Sequence, residues 1–120
     1  IWFMMKVYII STEPSGDYLG SYLIKELKKK KIKSIEGIGG ELMKKEGFSS
    51  WVPIEKFNTI GLIEVLIRIP KFYKIFKNVE NIIKKNPPDL LITIDSPSFS
   101  YRLVKKLQVL RKKVKMIHYV

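Results

Sequence analysis

The sequence contains no cysteine. Disulfides and thiolate metal sites are therefore excluded, and the chain suits a reducing compartment such as the cytoplasm. No stretch reaches the roughly 20 unbroken apolar residues that a membrane-spanning helix needs. Acidic residues are few, 11 against 23 basic ones, which leaves a formal net charge of +12. Arginine is sparse as well. Lysine outnumbers it heavily, and arginine is the side chain that most often reads base edges, so specific nucleic-acid recognition is disfavoured. The charge leaves two readings open. Lysine runs such as residues 28–31 and 112–113 are solvated helix faces, or the excess attracts anions: nucleic acid, acidic lipid headgroups or phosphorylated substrates. Internal repeats and low-complexity linkers are lacking too.

What is present is apolar enough to fold. With 46% hydrophobic residues in 120, the chain is expected to form one domain, residues 1–120, with a real core. Residues 1–5 are apolar but no basic region precedes them, so a signal peptide is not expected. The first residue is Ile1, so the expected natural start is Met4 or Met5, or the chain is a piece of a longer one.

The sequence is organised around residues 89–99, Asp-Leu-Leu-Ile-Thr-Ile-Asp-Ser-Pro-Ser-Phe. Leu90, Leu91, Ile92 and Ile94 form a short apolar run between Pro87-Pro88 and Pro97, the pattern of a strand covered on both faces. Asp95 stands where that run stops. In open α/β sheets ligands bind outside the carboxyl ends of the strands, so Asp95 is a candidate for chemistry. Its alternative role is to cap a turn or helix.

Taken in order, Lys6 to Ile10 reads as a first strand, rich in β-branched residues. A turn-rich loop over 11–17 follows, and then a helix over about 17–30. Tyr18, Leu19, Tyr22, Leu23 and Leu27 make its apolar stripe, with Asp17 or Ser15 as the cap. Ser34 to Ile38 reads as a second strand ending in Gly37-Ile38-Gly39-Gly40. Glycine pairs let backbone amides approach a ligand, although no G-x-G-x-x-G dinucleotide fingerprint is present. A short helix over 41–46 stops at Gly47, and a short strand holding Trp51 and Val52 is expected within 48–54.

Residues 60–69 have almost no polar face, with Glu64 and Arg68 alone interrupting. Such a helix is a buried core element, or its apolar side meets a membrane interface or acyl chains beside the flanking lysines. Pro70 opens an amphipathic helix with Phe72, Ile75, Phe76, Val79, Ile82 and Ile83 on one face. After the central strand come a helix over about 100–112, with Leu103, Leu107 and Leu110 inward, and a last strand over 114–120. Strand and helix in alternation predict an α/β fold, a Rossmann-like parallel sheet with helices on both faces and right-handed crossovers. The chain stops at a strand, so it is expected to be the front part of a longer protein. His118, in that last strand, is by itself more often a hydrogen-bonded core residue than a site.

Five stretches together resemble the lipid-A-disaccharide synthase family, glycosyltransferases of the two-Rossmann-domain (GT-B) architecture. Glu13-Pro14-Ser15-Gly16-Asp17 matches the family's G-E-x-S-G-D, and Gly37 to Gly40 its G-I-G-G. Ile60-Gly61-Leu62-Ile63-Glu64-Val65-Leu66, with Pro70 beyond, is similar to M-G-x-x-E-V-L. Ile94-Asp95-Ser96-Pro97-Ser98-Phe99 is similar to I-D-x-P-x-F, and His118-Tyr119-Val120 matches H-Y-V. The order is right and the motifs span nearly the whole chain. Thr12 replaces the family's first Gly, Ser98 stands where many members have Asp, and Ser100 where they have Asn. The family's second, donor-binding domain has no counterpart within the 120 residues.

The resemblance implies that residues 1–120 are an N-terminal, acceptor-side half-domain. The family's reaction transfers 2,3-diacylglucosamine from UDP-2,3-diacylglucosamine to 2,3-diacylglucosamine 1-phosphate, giving the β-1,6-linked lipid A disaccharide and UDP. It further implies Asp95 as the catalytic base, Glu13, Ser15, Gly16, Asp17, Gly39 and Gly40 as substrate-binding, and His118 as a weaker candidate. Ile60, Leu62, Ile63, Leu66 and Ile67 become acyl-chain or membrane contacts. Neither metal nor other cofactor is expected, nor a nucleic-acid partner. The implied location is cytoplasmic, peripheral to the inner membrane of a Gram-negative bacterium. The competing reading is a basic α/β module that binds membranes or nucleic acid, or a degenerate gene product.

Overall fold

The two central strands of this protein, over residues 6–11 and 90–94, alternate their side chains between two apolar layers. In the computed structural model, which describes residues 5–30, 32, 34–52, 70–94, 97–110 and 114–119 (backbone alone for 14, 70–72, 97–100 and 110), five strands and four helices are seen among these residues. In chain order they are β1 (Lys6–Ser11), α1 (Pro14–Lys28), β2 (Ser34–Ile38), α2 (Glu41–Lys45), β3 (Ser49–Ser50), α3 (Pro70–Lys85), β4 (Leu90–Ile94), α4 (Pro97–Lys106) and β5 (Lys115–Tyr119). A 3₁₀ turn, Gln108–Leu110, follows α4. The sheet is parallel throughout, in the order β3-β2-β1-β4-β5. The expected helix over 60–69, with Ile60, Leu62, Ile63, Leu66 and Ile67, lies outside the described residues, as do Asp95 and Ser96.

The α/β expectation is met, and the two layers explain why. Val7, Ile9, Ile92 and Ile94 point to one side, where they pack with Ile24 of α1, Met43 of α2 and Phe48. Tyr8, Ile10, Ile38 and Leu91 point to the other side, against Phe76, Val79 and Ile83 of α3 and Leu103 and Leu107 of α4. A parallel sheet needs helices on both faces because its crossovers deposit them there. Burying each Val, Leu or Ile in these layers stabilises the fold by about 1.5–3 kcal/mol.

Several boundaries differ from expectation. The helix α1 starts at Pro14, not Asp17; Leu19, Leu23 and Leu27 of its expected stripe pack against the core, but the two tyrosines do not. Tyr18 and Tyr22 are more than half exposed and stack edge to face on each other, with ring centroids 5.1 Å apart. Ile24, Gly20 and Ser21 face inward instead. A Cβ on Gly20 would lie 2.6 Å from Met43 Sδ, so small residues, not aromatics, let α1 approach α2. The strand β3 is two residues long. The Trp51 N–H still donates to the Gly37 carbonyl at 2.7 Å, but Pro53, two residues on, has no N–H with which to extend a ladder. The helix α4 begins at Pro97 and ends at Lys106, shorter and earlier than expected. The stop at Gly47 is as expected, with φ at +90°. At Gly37, φ is +148° and a Cβ would run into the Ile9 carbonyl on β1, so this strand position admits glycine alone.

Among the described residues one buried side-chain oxygen, Glu80 Oε1, has no hydrogen bond, and several other buried polar groups are paired. The Tyr8 hydroxyl donates to the Asn86 carbonyl at 2.7 Å, and Trp51 Nε1 donates to Glu36 at 2.8 Å. Burial, and then the Glu36 carboxylate, push the Tyr8 phenol above its ordinary value. On α3, Glu80 is 4% exposed. It accepts from Lys84 Nζ at 2.9 Å and has Lys77 Nζ 3.5 Å away. The Lys84 hydrogen bond, with the two lysine charges, holds its carboxyl below the ordinary value of 4.5 against an opposing burial effect. A lowered folded-state pKa means that this stabilisation is fully present above the ordinary glutamate range and is lost as pH falls through the depressed value. Glu80→Gln is therefore expected to cost about 1–2 kcal/mol at neutral pH. In urea melts the gap to the parent should close in acid; an unchanged gap would refute the ion-pair account.

Candidate functional site

The strand order sets the location of the site. The crossover from β1 runs through α1 to β2 on one side, and that from β4 runs through α4 to β5 on the other. The two directions part between β1 and β4. Such switch points open a crevice at the carboxyl ends of the strands. Ser11 and Thr12, both buried, close β1 there, and Ile94 closes β4 beside Ser11. Asp95 follows Ile94 in the chain and lies outside the described residues. A cleft of about 390 Å³ between Trp51, Val52 and α3 lies on the β3 side of the sheet, not at this switch point.

The opening motif wraps the β1 side of the crevice. Glu13 is the N-cap of α1 with extended backbone and no side-chain cap bond, so neither Asp17 nor Ser15 caps this helix. The proline that follows explains the early start, since its fixed φ suits a first helical turn and its missing N–H would have been unpaired there. Glu13 is half-buried and Ser15 exposed. Gly16 is buried in the first turn. A Cβ there would collide with Ser11 Oγ and sit 3.3 Å from Ile94 Cγ2. Glycine at 16 thus lets α1 press onto the point where β1 and β4 diverge.

Asp17 has a task that the sequence did not suggest. It is 7% exposed. Its Oδ1 accepts from the backbone N–H of Gly40 at 2.9 Å and of Met43 at 3.0 Å, and its Oδ2 from Leu42 at 3.1 Å. The N-cap of α2 is Gly40, which has no side chain to cap with. Asp17 supplies that cap from another helix and complements the α2 dipole. Gly40 must be small for this, because a Cβ would lie 2.6 Å from Asp17 Oδ2. The Gly39 N–H donates to Ser50 Oγ at 3.2 Å, and a Cβ at Gly39 would meet Met43 and the Phe48 ring. The amides of Gly39 and Gly40, read from sequence as open to a ligand, are thus turned to protein partners. The structure brings Asp17, Gly39 and Gly40 together as the brace that joins the β1 and β2 loops.

His118 lies at the same edge, near the end of β5 and opposite Thr93 in the β4–β5 register. Its Nδ1 is 2.7 Å from Thr93 Oγ1. The lone-histidine reading is half right: the ring is hydrogen-bonded, but it is exposed rather than in the core. Thr93, 1% exposed, was not singled out from sequence. The available signal was a single hydroxyl inside an otherwise apolar strand. No group of three or more His, Asp or Glu suited to a metal occurs among the described residues. No helix among them is long and apolar enough to cross a membrane.

Comparison with known proteins bears on the same residues. A family model described as lipid-A-disaccharide synthetase matches residues 7–120. A lipid-A-disaccharide synthase of Rickettsia akari (strain Hartford) is 46% identical over 119 residues, covering 98% of this chain and 30% of the relative. One from Rickettsia bellii (strain OSU 85-389) is 45% identical over 119 residues, 98% of this chain and 31% of the relative. One from Paramagnetospirillum magneticum (strain ATCC 700264 / AMB-1) is 42% identical over 118 residues, 97% of this chain and 30% of the relative. The chain therefore spans a little under a third of the length of these relatives.

Proposed function

Because the chain belongs to the lipid-A-disaccharide synthetase family, we propose that it forms the acceptor-side part of a glycosyltransferase of lipid A biosynthesis. The reaction joins 2,3-diacylglucosamine from its UDP donor to 2,3-diacylglucosamine 1-phosphate. Asp95 takes the proton of the acceptor 6-hydroxyl as that oxygen attacks the anomeric carbon. The bond from that carbon to the diphosphate breaks in the same displacement, so the centre inverts and UDP leaves with the electron pair. A base in hydrogen-bond reach of the attacking hydroxyl is what such a step requires. The leaving diphosphate is stabilised by helix N-termini and basic side chains rather than by a bound metal. The donor site belongs to a second domain of the GT-B type, so the 120-residue chain alone is expected to form no disaccharide.

The observation that supports this reading is the strand order. It sets the opening motif at the end of β1 beside the end of β4, the strand that leads into Asp95. In this reading Glu13 and Ser15 bind substrate beside that junction, where Gly16 packs on Ser11 and Ile94, while Asp17, Gly39 and Gly40 brace the neighbouring β1 and β2 loops. Residues 60–69 meet the acyl chains or the inner membrane surface, which fits a peripheral protein on its cytoplasmic side. No cofactor enters the scheme.

A chimera tests the proposal. The chain replaces the matching segment of the Rickettsia akari relative, and radiolabelled donor and acceptor are supplied. Disaccharide and UDP in equal amounts are the expected result. A folded chimera that binds neither substrate and makes no product would sink the assignment.

A further inference from the structure

Thr93 and His118 are hydrogen-bonded to each other. The Thr93 hydroxyl is buried, and among the described residues its side chain and that of His118 have no hydrogen-bond partner but each other. A buried hydroxyl proton without an acceptor is costly. Thr93 therefore donates to Nδ1, and the neutral ring carries its proton on Nε2. That tautomer leaves Nε2 as an N–H donor on an exposed ring, near the carboxyl end of β5, at the edge where α/β proteins take their ligands.

We propose that His118 Nε2–H is a binding donor to a phosphate oxygen of a ligand held over the carboxyl ends of β4 and β5. The choice of phosphate rests on the reading that both substrates are phosphorylated, and the net charge of +12 favours anions at the surface. The phosphate is that of a sugar 1-phosphate or of a nucleoside diphosphate. His118 touches the ligand; Thr93 is a positioning residue that acts through the ring.

The test uses the 120-residue chain labelled with ¹⁵N-histidine. Proton-coupled NMR should show the Nε2–H tautomer in the neutral ring; the Nδ1–H form would overturn the proposal. Glucosamine 1-phosphate, UDP, inorganic phosphate and glucosamine are then titrated separately. A shift of the Nε2 resonance with glucosamine 1-phosphate assigns the sugar phosphate, and one with UDP assigns the diphosphate. Inorganic phosphate should reproduce either shift weakly. A shift with glucosamine but not with phosphate, or no shift at all, would overturn it. Among variants, His118→Asn keeps a partner for Thr93 but has no distal donor and should bind about tenfold more weakly. His118→Gln places an amide nitrogen near the Nε2 position and should stay within about threefold of the parent. Phosphate binding at His118 in a chain whose chimera makes no disaccharide would leave this site standing and remove the enzyme reading. An active chimera indifferent to His118→Asn would do the reverse.

Discussion

Asp17→Ala should cost the domain roughly 3–5 kcal/mol, measured as a shift in urea-unfolding free energy. The substitution strips the acceptor from three amides, those of Gly40, Leu42 and Met43. Water cannot replace it freely, because the carboxylate is 7% exposed. Gly40 offers no side chain in its place, so the first turn of α2 loses its cap outright. Against a total of roughly 6–18 kcal/mol for a chain of this size, such a loss is about a third of the stability at mid-range. Asp17→Asn separates shape from charge. One amide oxygen can still serve Gly40 and Met43 as Oδ1 does now, but the NH₂ group then faces the Leu42 N–H. An intermediate loss of about 1–2 kcal/mol is expected. If Asp17→Ala came within about 1 kcal/mol of the parent, the brace between the two loops would have to be abandoned.

Asp95→Ala in the active chimera should lower kcat by about 10²–10⁴-fold, the range that general-base catalysis supplies. The effect follows from where the charge is needed. The acceptor hydroxyl loses its proton in the transition state, not on binding, so kcat and kcat/KM should fall together and KM should change little. Asp95→Asn, nearly the same size, should be equally inactive, since an amide cannot take the proton. A rise in KM with kcat intact would make Asp95 a substrate-binding residue. Wild-type turnover in the folded Asp95→Ala chimera would end its candidacy altogether.

The two aspartates stand differently in the sequence. Asp95 ends an apolar run and is a candidate from its neighbours alone. Asp17 reads as a local cap because the spacing starts the helix near residue 17, whereas α1 begins at Pro14. Pro14 and Pro97 each open a helix, as Pro70 does. Pro70 precedes a clean amphipathic stripe, whereas Pro14 lies in a turn-rich loop and Pro97 only bounds the central apolar run, so neither marks a helix start by its surroundings. The Tyr18 and Tyr22 error has a similar origin. Both fit helical spacing, but a tyrosine tolerates exposure through its hydroxyl, so spacing alone does not show which face is buried. Small residues, Gly20 and Ser21, marked the packed face instead.

What the sequence by itself determined is local and periodic. Continuous apolar runs such as 90–92 specify strands buried on two faces, and the alternation with amphipathic helices specifies a parallel sheet. The order of the motifs carries the family. What only the tertiary structure decided joins residues far apart in the chain: the strand order β3-β2-β1-β4-β5, the bond from Gly40 to Asp17 across 23 positions, and that between Thr93 and His118 across 25. Periodicity reports the kind of element and that it has an apolar face. It does not report which distant amide or hydroxyl a side chain will meet, because that partner is chosen by the packing of whole elements.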